Sequence, residues 1–60
     1  MNNIEFKFAI GDWVKIKELN CKGRVLSLWT GRRGNEIQVR YSTDTEYKEV
    51  YFFEDELELV

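Results

Sequence analysis

Trp13 is followed by Lys15 and Lys17 at every second position, with Val14 and Ile16 between them. Side chains of an extended chain alternate between two faces. The spacing therefore predicts Trp13, Lys15 and Lys17 on one face and Val14 and Ile16 on the other. An indole flanked by ammonium groups can stack on a nucleobase while the lysines take phosphates. The same set can anchor a protein interface, where tryptophan is enriched. It can also do no more than cover the open end of a small barrel. Further cations follow at Lys22, Arg24, Arg32 and Arg33, and further rings at Trp29, Tyr41, Tyr47 and Tyr51. The residues expected to meet a partner are Trp13, Lys15, Lys17, Lys22, Arg24, Arg32, Arg33, Tyr47 and Tyr51.

Other residue types that carry chemistry lack the companions that chemistry needs. Cys21, beside Lys22 and near Arg24, has the electropositive setting of a reactive thiol. The chain has no histidine, so a Cys/His nucleophile is excluded. An inert, half-buried thiol is expected. Zinc is excluded on ligand count, since a structural site needs about four Cys or His ligands. Glu54, Asp55, Glu56 and Glu58 are oxygen donors without the glycine and ligand alternation of a calcium loop. They read as a solvated face at the start of a helical turn. Gly31-Arg32-Arg33-Gly34 has the composition of a phosphate-gripping loop but not its place between a strand and a helix. It is expected to be a basic hairpin tip. No catalytic residue, metal or cofactor is expected.

The elements that must position these residues are short strands. Ile4-Glu5-Phe6-Lys7-Phe8 alternates strictly and predicts a half-buried strand, and Gly11-Asp12 a turn. Val14 and Ile16 belong to the next strand. Glu18–Gly23 is a loop in which Asn20 or Gly23 can take a left-handed conformation. Arg24–Trp29 is a strand in which Val25, Leu26 and Leu28 cannot all face one way, so a bulge is expected near Val25–Leu26. Thr30–Asn35 is a hairpin loop. Ile37, Val39 and Tyr41 point inward from Glu36–Tyr41. Ser42–Thr45 is a polar turn. Glu46–Phe53 is rich in strand-forming residues, with Val50 and Phe52 inward. Glu54–Glu56 is a helical turn, and Leu57 and Leu59 sit in a closing strand. No stretch of helical period exceeds one turn, and proline is absent.

Sixty residues make one domain with a small core. Its interior cannot hide all nine aromatic rings. With one cysteine there is no internal disulfide, which fits a reducing, cytoplasmic setting. The longest apolar run, Tyr51-Phe52-Phe53, is too short to span a membrane. The net charge of −2 conceals a division. Residues 1–40 carry eight basic and four acidic side chains, and residues 41–60 one basic and seven acidic. Such segregation can steer a partner, unless strand pairing interleaves the two sets.

Phe-x-Ile-Gly-Asp-x-Val-x-Ile at 8–16, followed by Lys-Gly-Arg-Val at 22–25, resembles the opening of Src-homology-3-like barrels of the KOW and Tudor kind. Val-Tyr-Phe-Phe-Glu-Asp-Glu-Leu-Glu at 50–58 resembles the last turn and strand of small barrels encoded by bacteria and their phages, the YorP-type prophage proteins among them. The resemblance implies an all-β, five-stranded Src-homology-3-like barrel over residues 1–60, with one short helical turn before the last strand. It also implies a bacterial or phage source, and no activity. A second resemblance is to the type II dihydrofolate reductases, tetramers around a shared pore. Gly11-Asp12-x-Val14 and Lys17 are similar to their first strand, and Lys48-Glu49-Val50-Tyr51 falls where their Val-Gln-Ile-Tyr pore motif lies. Here Glu49 replaces the motif's glutamine and Lys48 its valine. A ring of carboxylates would repel the phosphates of a nicotinamide cofactor and the glutamate tail of folate.

The leading expectation is a non-enzymatic barrel that engages a protein partner, or itself, through exposed aromatics and segregated charge. The alternative is a nucleic-acid-binding module built on Trp13 and the basic residues, against which the acidic pI of about 5.0 weighs. A reductase-like tetramer stands behind both.

Overall fold

The computed structural model describes residues 5–60. Its strands are β1 (Trp13–Ile16), β2 (Cys21–Gly31), β3 (Gly34–Ser42), β4 (Tyr47–Phe53) and β5 (Leu57–Leu59), with a 3₁₀ turn at Glu54–Glu56. All pairings are antiparallel, in the order β4-β3-β2-β1-β5. The fold is all-β, and its one helical turn precedes the last strand as expected.

The sheet wraps a single core to which every strand contributes. Val14 and Ile16 from β1, Val25 from β2, Ile37 and Val39 from β3, Phe52 from β4 and Leu57 from β5 are buried together with Phe8. Alternation places the inward set of β1 and β3 as the sequence predicts, and Tyr41 packs half-buried against the core with its ring 6.3 Å from that of Phe52. Val50 is the exception. It lies in the outermost strand at that end of the sheet and is left exposed.

The expected first strand is corrected. Ile4 lies outside the described residues, and residues 5–8 form no strand. The edge of β1 is already taken by β5. The segment is held instead by side chains: the Lys7 N–H donates to Glu54 Oε2 at 2.7 Å, and Asn35 Nδ2 donates to the Glu5 carbonyl at 2.8 Å. Phe8 still reaches the core, and Phe6 packs against it. Alternation thus marked the buried side chains without marking a strand.

Four local features set the strands in place. Asp12 N–H donates to the Ala9 carbonyl, Gly11 (φ +95) supplies the left-handed step, and the Ala9 N–H returns a bond to Asp12 Oδ2. Asn20 (φ 53), rather than Gly23, takes the left-handed position between β1 and β2. Gly23 serves close packing instead: a Cβ there would overlap Val39 Cγ1 and lie 2.9 Å from the Arg40 carbonyl oxygen. The β2–β3 hairpin is tighter than expected. Thr30 pairs with Asn35 and Gly31 with Gly34, so only Arg32 and Arg33 form the tip, and Gly34 (φ +111) closes it.

The bulge expected near Val25–Leu26 is present. Val25 pairs with Val39 and Ser27 with Gln38, leaving Leu26 without a partner. Arg24, Ser27 and Trp29 consequently share the outer face with Gln38 and Arg40 of β3, while Val25 and Leu28 both turn inward.

Candidate binding cleft on the outer sheet face

The register brings together residues far apart in the chain. Trp13 pairs with Arg24, Arg24 with Arg40, and Ser42 with Tyr47. Trp13, Lys22, Arg24, Arg40, Tyr41, Ser42 and Tyr47 line an open cleft of about 390 Å³. Trp13 is 55% exposed while its neighbour Val14 is fully buried, as alternation requires. Tyr47 is 68% exposed. Trp13 is displayed because the core face of β1 is filled by the smaller Val14 and Ile16.

Each ring holds an arginine. The Arg24 guanidinium carbon lies 5.6 Å from the Trp13 ring centroid, and that of Arg40 4.5 Å from the Tyr47 ring. Both distances suit cation–π attraction. Arg24 is held from a second side, donating from Nε to the Gly11 carbonyl at 3.3 Å. The two guanidinium groups stand on paired positions of adjacent strands, where like charges repel. The ion pairs among the described residues are Lys15–Glu58 at 3.8 Å and Lys48–Glu46 at 3.9 Å, so neither arginine has a carboxylate within 4 Å, although Glu49 of β4 is the cross-strand partner of Arg40. No acidic side chain lines the cleft. An anion entering it would relieve the repulsion and meet forked N–H donors already oriented.

The other expected partner-binding residues lie elsewhere. Lys15 is paired with Lys22 across β1 and β2, at the border of the cleft, and is drawn toward Glu58. Lys17 is taken up by the 3₁₀ turn: its Nζ donates to the Asp55 carbonyl at 2.9 Å, and its N–H to the Glu56 carbonyl. Arg33 lines a separate hollow of about 350 Å³ with Lys7, Asn35, Phe53, Glu54 and Asp55. Arg32 borders none of these hollows. Tyr51 sits with Trp29 and Glu36 around a third hollow of about 260 Å³. Arg40 was missed as a site residue. The signal was its parity, since it alternates with the inward Ile37, Val39 and Tyr41, but only the register shows that it faces Arg24.

No family model, curated protein or solved structure matches the chain. Among the described residues no three Cys, Asp or Glu side chains gather as metal ligands. No helix there is long and apolar enough to cross a membrane. Cys21 is half-buried against the core.

Proposed function

We propose that this chain is a non-enzymatic binding module whose Trp13 cleft takes an acidic segment of a protein partner. The observation that carries the reading is the lining itself: three cations and two exposed rings on paired strands, with no carboxylate among them. Stacked arginines present their outer edges to a ligand, and that edge matches a carboxylate in two-pronged fashion. Tryptophan, tyrosine and arginine are also the residues on which interface energy concentrates.

Nucleic acid is the competing reading. A base stacks on an open ring face, and here a guanidinium group takes one face of Trp13 and one of Tyr47, leaving a single face of each for stacking. The neighbouring β3–β4 hairpin and β4 add the exposed acids Asp44, Glu46 and Glu49, which repel a long polyanion more than a short acidic segment.

The test is a fluorescence-polarisation titration with a labelled peptide of alternating Glu and Tyr. Saturable binding is expected, weakened about 30-fold by Trp13→Ala, in keeping with loss of a central interface tryptophan. Arg40→Gln should weaken it as well. A single-stranded oligonucleotide pool that binds more tightly than the peptide would overturn the protein reading in favour of nucleic acid.

A further inference from the structure

The same sheet face carries a second hollow of opposite character. Trp29 (59% exposed) and Tyr51 (49% exposed) flank the carboxylate of Glu36. Trp29 and Glu36 are cross-strand partners on β2 and β3, and Tyr51 pairs with Gln38, the next outward residue of β3. Gly31 stands beside both: a Cβ there would be in ordinary contact with the Trp29 indole nitrogen at 3.4 Å and with Glu36 Oε2 at 3.8 Å. Glu36 belongs to neither ion pair among the described residues. Two rings beside an unneutralised carboxylate attract a cation, through ring quadrupoles and direct charge.

We propose that this hollow takes a lysine or arginine side chain of the same partner segment. The sheet face then reads an extended peptide by its charge polarity, carboxylate at Trp13 and cation at Trp29. The inference rests on the acidic-segment reading above. Its geometry comes from β3: Arg40 borders the first cleft, Glu36 the second hollow, and both point outward with Gln38 between them. Four residues of strand span about 13 Å. An extended ligand therefore places its acidic and basic residues about four positions apart. Gln38 between the two sites is held by Ser27, whose Oγ donates to Gln38 Oε1 at 2.8 Å.

Two labelled peptides decide it, each made in both chain directions. The first carries a Glu-Tyr-Glu group and a lysine four positions beyond; in the second that lysine is glutamine. The wild-type protein is expected to bind the first about tenfold more tightly, the combined size of an exposed ion pair and a cation–π contact. Glu36→Gln should remove that preference while leaving affinity for the second peptide unchanged. Equal affinity of the wild type for the two peptides, in both directions, overturns the polarity inference and leaves the acidic cleft standing. Failure of both peptides to bind at low salt overturns the cleft reading and the inference with it. Circular dichroism of Glu36→Gln, matched to wild type, shows that any change is not one of folding.

Discussion

At the residue scale, one strand separates two kinds of side chain with different consequences when removed. Trp13 is displayed and Val14 beside it is fully buried. Trp13→Ala is therefore expected to cost less than about 1 kcal/mol of stability, mainly the contact with Arg24. Urea denaturation measures this, and a loss of several kcal/mol would mean that the ring is structural. Ile37, also fully buried, should behave oppositely, with Ile37→Ala costing about 2–5 kcal/mol in the same assay. Gly23→Ala forces a methyl group into Val39 Cγ1 and toward the Arg40 carbonyl. A penalty of about 1–3 kcal/mol is expected, because β2 cannot withdraw from β3 without breaking their ladder. Trp13's exposure was legible in the sequence because both residues that flank its strand neighbour Lys15 are aliphatic. The role of Gly23 was not: sequence marks a glycine as permissive, and only the facing strand shows whether its missing side chain matters.

At the scale of elements, the 3₁₀ turn does more than reverse the chain. The Phe53 N–H donates to Glu56 Oε1, Glu54 receives the Lys7 N–H, and Lys17 reaches the Asp55 carbonyl. Of the four acids that read as a solvated face in the sequence, Glu56 and Glu54 turn out to tie down β4 and the N-terminal segment through their carboxylates, while Asp55 meets the end of β1 only through its backbone carbonyl. Glu56→Ala is expected to cost about 1 kcal/mol by leaving the Phe53 N–H without its partner, again by denaturation; an unchanged midpoint would mean water replaces the carboxylate fully. The strands themselves were legible where period two persisted, as in Glu36–Tyr41. The segment at 5–8 shows the limit of that signal. Burial of alternate residues needs only an extended chain pressed against a core, whereas a strand needs backbone hydrogen bonds to a neighbouring strand, and here the Lys7 N–H and the Glu5 carbonyl go to the side chains of Glu54 and Asn35. The residues of the cleft were partly legible for a related reason. Sequence gives the face of each side chain within its strand, but the register that seats Arg40 against Arg24 and Tyr47 near Ser42 is a property of pairs.

At the scale of the molecule, the charge division of the chain is partly cancelled and partly kept. Lys15 with Glu58, Lys48 with Glu46 and the paired positions Arg40 and Glu49 interleave the two sets, while the cleft lined by Lys22, Arg24 and Arg40 has no carboxylate in its wall. Binding of the acidic peptide should therefore weaken steadily as salt rises to about 0.5 M, where the screening length falls below the span of the cleft. Salt-independent affinity would shift the weight to the rings. The outer strands carry Lys48, Glu49 and Glu58, charges that discourage edge-to-edge pairing. Light scattering at micromolar concentration is expected to give the 7.2 kDa of one chain; a tetramer would revive the reductase-like alternative. The unpartnered Leu26 reaches furthest of all these features. Counting by twos from Lys22 and Arg24 would send Trp29 into the interior; one supernumerary residue resets the count. The bulge, and not the number of residues, is what keeps Trp29 outward: a strand lacking Leu26 would alternate without interruption and leave Arg24, Ser27 and Trp29 on the same outer face.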